Sequence, residues 1–211
     1  MAPGPTCSAV ILTGGLNTRM QGRNKAFIRL GGRRFLTRVL DTVSACLDDC
    51  LIVTRQTGLY RQWPVQIVAD RLAVRSPLAG IHAGLLGMRG EFALVTSCDT
   101  PFLKKTVVKR LLTALEPDAD VIVPASGPFF QPLCALYSRR CAPVIEEIVG
   151  QGEVKVDRLY ARVRVKRVDY RHFEAVDPEL LSFFNVNTPG DLETARGLYA
   201  QMKAEIEVGA G

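Results

Sequence analysis

The sequence predicts a three-layer α/β protein: a mostly parallel sheet with an antiparallel edge, covered by helices on both faces. Three observations carry that expectation. Short continuous apolar runs alternate with segments of helical period, turn residues close the runs, and half-polar alternation occurs only near residue 165. Residues 9–12 form the first buried strand, ended by the turn Thr13-Gly14-Gly15. Phe35, Leu36, Val39, Leu40, Val43 and Leu47 recur at the spacing of one helix face, and residues 50–54 follow as a strand buried on both sides. Residues 65–69 give a third strand, 78–88 a helix and 92–98 a fourth strand. A helix over 104–115 sets Val107, Val108, Leu111 and Leu112 on one side. Strands at 119–125 and 133–137 and a helix near 142–149 come next. Arg162-Val163-Arg164-Val165-Lys166 alternates charge with valine, the pattern of an edge or antiparallel strand. Residues 183–187 read as a last strand, after which Thr188 as N-cap, Pro189 at the first helical position and Asp191 at the third open a helix to about Lys203. Without internal repeats or a linker rich in Pro, Gly or Ser, residues 1–211 read as one domain with a core of about 8–203.

Composition narrows the function classes. Apolar residues make up 47% of the 211 and charged residues 23%, enough to bury a real core and too ordinary for a disordered, collagen-like or disulfide-scaffold chain. No apolar run approaches the roughly 20 residues of a membrane helix. The N-terminus lacks the basic and apolar regions of a secretory signal, so a cytoplasmic location is expected, with no membrane partner. A net charge of +6 favours acidic molecules: nucleotides, phosphorylated metabolites or nucleic acid. Nucleic acid is not expected, because no aromatic residue interleaves the basic run before Tyr170. The six cysteines include no C-x-x-C pair, and His82 and His172 lie far apart, so buried thiols rather than a zinc site are expected.

The residues that carry chemistry follow the first and fourth strands. In Leu12-Thr13-Gly14-Gly15-Leu16-Asn17-Thr18-Arg19-Met20-Gln21-Gly22-Arg23-Asn24-Lys25, adjacent glycines let backbone N–H groups approach an anion, while Arg19, Arg23 and Lys25 neutralise a polyphosphate. Taken alone, the stretch also suits an ordinary βα turn beside a solvated basic face. Its spacing matches neither the P-loop nor the dinucleotide fingerprint, which disfavours an NAD-type Rossmann protein. Asp99, at the carboxyl end of the fourth strand, is a candidate Mg²⁺ ligand, because this ion usually takes one or two protein carboxylates plus substrate phosphates. It also suits a simple turn cap before Thr100-Pro101. Asn185 and Asn187, at i and i+2, either position phosphate or metal-bound water or satisfy loop backbone before the last helix.

Together, Leu-x-Gly-Gly-x-x-x-Arg-Met with Lys25, Ser76-Pro77-Leu78-Ala79-Gly80, Cys98-Asp99-x-Pro101-Phe102 and Asn185-Val186-Asn187-Thr188-Pro189 resemble the molybdenum cofactor guanylyltransferases. The match runs in order from residue 9 to about 200 and implies the glycosyltransferase-A type nucleotidyltransferase fold. It further implies transfer of GMP from GTP to molybdenum-bearing molybdopterin, giving the guanine dinucleotide cofactor and pyrophosphate, with Mg²⁺ required. By position, Leu12, Thr13, Gly14 and Gly15 would line the nucleotide, Lys25 would contact its phosphates, Asp99 would hold the metal, and Gly80, Asn185 and Asn187 would belong to the same site. Thr54 and Asp70 stand where that family contacts guanine or its ribose. Residues 131–133 and 150–159 would border the pterin. Partners would be GTP, molybdopterin and, transiently, molybdenum-insertion proteins or molybdoenzyme chaperones.

Three departures qualify the match: Thr13 in place of alanine, Ser76 in place of glycine, and Asn24 where an acid precedes the lysine. If that acid orients the lysine, an amide would do so more weakly. A cytidylyltransferase or sugar-phosphate nucleotidyltransferase of the same fold is one alternative, and a non-catalytic nucleotide-binding adaptor for molybdoenzyme maturation is another. Alternation would put Arg162, Arg164 and Lys166 on one face, either protecting an edge strand or docking the anionic pterin or an acidic partner.

Overall fold

The computed structural model describes residues 5–14, 20, 22–70 and 72–209. In chain order they form β1 (Cys7–Leu12), the hairpin β2 (Arg29–Leu30) and β3 (Arg33–Arg34), α1 (Phe35–Ser44), β4 (Cys50–Thr54), β5 (Gln66–Ala69), α2 (Pro77–Gly87), β6 (Phe92–Ser97) and α3 (Lys105–Thr113). There follow β7 (Val121–Ser126), β8 (Phe129–Phe130), β9 (Cys134–Ser138), α4 (Cys141–Gly150), α5 (Val156–Tyr160), β10 (Val165–Asp169), α6 (Arg171–Glu174) and α7 (Pro189–Gly209).

The main sheet has the order β10-β7-β9-β6-β1-β4-β5, with β8 added beside β7. β1 is central and buried from Ser8 onward, so its sequence is apolar without alternation. Its side chains serve both faces. Ala9 and Ile11 pack with Leu36, Val39 and Val43 of α1 and Val107 and Leu111 of α3. Val10 and Leu12 pack with Leu78, Ile81 and Leu85 of α2 and Ile145 and Ile148 of α4. Each such aliphatic side chain, fully buried, contributes about 1.5–3 kcal/mol. A third cluster joins Leu30 and Phe35 to Leu192 and Ala195 of α7, returning the C-terminal helix to the N-terminal hairpin.

The sheet is mostly parallel, as its sequence predicts, but the antiparallel strand is internal. β9 runs against both β6 and β7, because seven residues between β7 and β9 are too few for the dozen or so a parallel crossover requires. β10 does take the edge, where it is parallel to β7 with Val165 opposite Val121. It begins only at Val165, so Arg162 and Arg164 lie ahead of it.

The expected strand over 183–187 is absent. Leu180 at φ 52° turns the chain into a 3-10 turn, Leu181–Phe183, and beyond it Val186 N–H donates to Asp99 C=O at 2.9 Å without a ladder. α7 opens with the expected reciprocal cap: Asp191 N–H donates to Thr188 Oγ1 at 3.1 Å, and Asp191 Oδ2 accepts Thr188 N–H at 2.8 Å. It continues to Gly209, past the expected end at Lys203, and Lys203 pairs with Glu207 one turn on at 3.4 Å.

Candidate active site

The parallel strands β1, β4, β5 and β6 all present their carboxyl ends at one edge, and from β1 the chain leaves toward β4 on one side and returns at β6 on the other. Ligands of open α/β sheets bind at such a switch point. A cleft of about 650 Å³ lies there, within the range of small-molecule sites. It brings together Leu12, Thr13, Gly14, Lys25, Thr54, Asp70, Gly80, Asp99 and Asn187, residues drawn from most of the chain.

At one end is a charged clip. Lys25 lies in a 3-10 turn, Lys25–Phe27, and its Nζ donates to Asp99 Oδ2 at 2.8 Å and to Asn187 Oδ1 at 2.7 Å. The side chains of Lys25 and Asp99 are 15% and 16% exposed, so the pair is only partly open to water. Ser97 Oγ donates to Asp99 Oδ1, leaving neither carboxylate oxygen without a partner. Asn187 is held in turn by its own backbone N–H, which donates to Asp191 Oδ2 at 2.8 Å. The cap of α7 thus also places a cleft residue. Asn185 stays apart: its Nδ2 donates to Phe183 C=O at 3.2 Å, the backbone-satisfying role, and it does not line the cleft.

Asn24 does not touch Lys25. Its Oδ1 accepts Ala26 N–H at 3.1 Å, capping the 3-10 turn, and its Nδ2 donates to the Tyr60 hydroxyl at 2.9 Å. Asp99 and Asn187 orient the lysine instead. Tyr60 is 1% exposed and packs against Phe27 and Trp63, with ring centroids 5.6 and 5.7 Å away. Burial pushes its hydroxyl above the ordinary tyrosine value, against the hydrogen-bonding side chains of Thr13, Asn24 and Thr54. Tyr60 lines the cleft and ties Asn24 to it.

Thr13 turns inward, its N–H and its Oγ1 both donating to Val53 C=O at 3.0 Å. Gly14 has open space where a side chain would stand. Gly80 lies on α2 close enough to β1 that a Cβ would come within 3.2 Å of Leu12. At the far end of the cleft, Thr54 Oγ1 accepts Gln56 N–H at 3.2 Å, and Asp70 N–H donates to Thr54 C=O at 3.0 Å. The Asp70 side chain is 11% exposed, and Arg55 Nε donates to its Oδ2 at 3.3 Å. Asp70 Oδ1 is buried with no hydrogen-bond partner among the described residues. Gly15 and Arg19 lie outside the described residues.

Arg55, Tyr60 and Ser97 were not singled out by sequence reasoning. Ser97, two residues before Asp99 at a strand end, carried a local signal. The other two pair across the cleft with Asp70 and Asn24, 15 and 36 positions away, which no spacing encodes. The basic run does not form one face. Arg162 pairs with Glu147 of α4 at 4.0 Å, Lys166 with Glu116 beyond α3 at 2.6 Å, and Arg164 N–H donates to Asp120 at 3.0 Å. Strand alternation begins only at Val165, and the Arg162 and Lys166 side chains pair with different layers. Of the two segments expected to border the pterin, Leu133 reaches the cleft, while residues 150–159 do not line it.

A family model described as a MobA-like NTP transferase domain matches residues 9–168. The molybdenum cofactor guanylyltransferase of Desulfosudis oleivorans is 42% identical over 188 residues, covering 89% of this chain and 93% of that protein. Among solved structures, molybdopterin-guanine dinucleotide biosynthesis protein A from Archaeoglobus fulgidus superposes with a TM-score of 0.82 at 27% identity, covering 92% of this chain and 99% of that one. 2-C-methyl-D-erythritol 4-phosphate cytidylyltransferase from Thermus thermophilus shares the fold at a TM-score of 0.70 and 17% identity, with 92% and 99% covered.

Proposed function

The chain belongs to the MobA-like NTP transferase family, and from that membership we infer that it is a guanylyltransferase of molybdenum cofactor synthesis. It transfers GMP from GTP to molybdenum-bearing molybdopterin, forming the guanine dinucleotide cofactor and pyrophosphate. The observation that carries the reading is one cleft with a Lys25-Asp99 clip at one end and, at the other, a buried acceptor, Asp70 Oδ1, that has no partner among the described residues. The first end suits phosphates and the second a base.

In the reaction a phosphate oxygen of the pterin forms a bond to the α-phosphorus of GTP. The bond from that phosphorus to the bridging oxygen breaks, and pyrophosphate leaves with the electron pair. The acceptor is already an anion at neutral pH, so no strong base is needed, and the difficulty is to hold two anions together. Lys25 supplies positive charge where both converge, and Asp99 and Asn187 fix its ammonium in place. Gly14 leaves the backbone open to approaching phosphates, and Leu12 and Thr13 carry that loop on the end of β1. Gly15 and Arg19 are assigned to the same phosphate loop, Thr54 and Gly80 to the walls around the nucleoside, and Asp70 to guanine. A carboxylate accepts from both the ring N–H and the exocyclic amine of that base.

The Asp99 carboxylate and the Asn187 amide oxygen are hard donors already drawn to a single cation, the Lys25 ammonium, so this set fits Mg²⁺. When bound there, Mg²⁺ would neutralise charge on the triphosphate. We further assign the chain to one nucleotidyltransferase domain acting in the cytoplasm, with brief contacts to molybdenum-insertion proteins or molybdoenzyme chaperones as product is handed on. No described helix is long and apolar enough to cross a membrane.

The test compares GTP, CTP, ATP and UTP, each with Mg²⁺ and molybdopterin, by pyrophosphate release and by thermal shift. Ligand at about 100 times its Kd stabilises by about 2.7 kcal/mol, a shift that is readily measured. Turnover with GTP and not with CTP is expected. Turnover with CTP alone would make the chain a cytidylyltransferase, and GTP binding without turnover would make it an adaptor.

A further inference from the structure

We propose that Arg55 is a positioning residue for base selection, one that aims the Asp70 carboxylate and keeps its second oxygen free of protein donors. Arg55 follows directly on β4, and its guanidinium reaches three partners at once. Nε donates to Asp70 Oδ2 at 3.3 Å, and Nη2 donates to the carbonyls of Leu72 and of Val74, the latter at 3.3 Å. Nε of this fork is used on one carboxylate oxygen and Nη2 on the segment that follows it. The other oxygen, Oδ1, has no donor among the described residues.

That division has a chemical consequence. A carboxylate held at a single oxygen by a planar cation keeps one orientation, whereas a free aspartate swings about its side-chain torsions and offers either oxygen. A buried acceptor without a donor is costly, and a ligand N–H that reaches it removes the cost. Guanine presents two adjacent N–H donors, the ring N1–H and the exocyclic amine, whereas inosine presents only the first. Adenine places an acceptor, N1, where a carboxylate would need a donor. Arg55 also shapes the wall beside the base, because the Leu72–Val74 carbonyls it binds lie in the chain that leads to Arg75 and Ser76 at the start of α2, both in the cleft. Lysine could keep the charge but not the fork that joins a carboxylate to two carbonyls.

The proposal rests on the assignment of Asp70 to guanine, and the experiment separates the two. The readout is the ratio of kcat/KM for GTP over ITP, which a partly misfolded preparation leaves unchanged because both rates fall together. Native protein, Asp70→Asn, Arg55→Ala and Arg55→Lys are compared. The expected result is that all three variants lose about tenfold or more of the ratio, with the loss falling mainly on KM for GTP. A ratio preserved in both Arg55 variants but lost in Asp70→Asn would overturn the role of Arg55 while leaving Asp70 as the base contact. A ratio preserved in Asp70→Asn would remove Asp70 from the base, and the role of Arg55 with it.

Discussion

At the scale of single residues, the cleft depends on side chains that hold one another before they hold a ligand. Lys25 is oriented by Asp99 and Asn187, so Asp99→Ala removes both a charge partner and the proposed ion ligand. Turnover is expected to fall by about 10²-fold or more with the thermal midpoint and circular dichroism little changed. Near-normal turnover in the purified variant would take Asp99 out of the mechanism. Asn24→Ala should act differently. It removes a cap and a bond to buried Tyr60, so stability should drop by about 1–2 kcal/mol in denaturant titration. A glycine loop after a strand, a lysine beyond it and an aspartate at another strand end are local patterns, and these were legible in the sequence. The company kept by Asn24 was not, because Tyr60 is 36 positions away and the acid of the family pattern suggests a lysine partner that Asn24 does not have.

Among the elements, α2 shows how close packing serves the site. Gly80, Gly84 and Gly87 share one side of this helix, and side chains there would press on Leu12, Val10 and Val68 respectively. At Gly84 a Cβ would lie 2.4 Å from a methyl of Val10, so helix and strand approach as only glycine allows. Gly84→Ala is therefore expected to destabilise by about 1–3 kcal/mol, seen as a lower midpoint in urea. The apolar sequence of α2 was read as a helix, but it lies buried against the sheet, and its tight approach follows from glycine spacing that periodicity of large residues cannot reveal. The start of α7 was legible because its cap is local. The stretch before it was misread as a strand, since extended backbone and strand share a sequence pattern while the partner ladder does not. In that cap the carboxyl of Asp191 is held below its ordinary value of 3.8 mainly by the Asn187 N–H. A depressed folded value means that its contribution is complete above the unfolded value and is lost as pH falls through the folded one. Asp191→Ala should cost about 1 kcal/mol at neutral pH, and the gap to native protein should close in melts on the acid side. An equal gap at every pH would show that the carboxylate is not what caps the helix.

For the molecule as a whole, the α/β layering is legible because β1, β4 and β6 are uncharged, mostly apolar runs without polar alternation and α1 and α3 carry one-sided patterns. The place of the antiparallel strand was not, for it depends on the length of a connection rather than on composition. Burial also governs the thiols. Burial pushes Cys7, Cys134 and Cys141 up to about 12 and Cys50 to about 11, and it raises Cys98 as well. At pH 8 a disulfide-exchange reagent is thus expected to modify half-buried Cys46 first and the other thiols only on unfolding. Rapid reaction of several thiols in native protein would contradict that. The sheet order has a further bearing on how the chain is made. β5, β4, β1 and β6 are all synthesised by Asp99, and the chain up to that point already carries Lys25, Asp70 and Asp99 itself. The outer edge of β6 has no cover until Ser138 has left the ribosome, so for some forty residues of translation the growing polypeptide exposes a flat, apolar strand edge, the kind on which nascent chains associate and chaperones act.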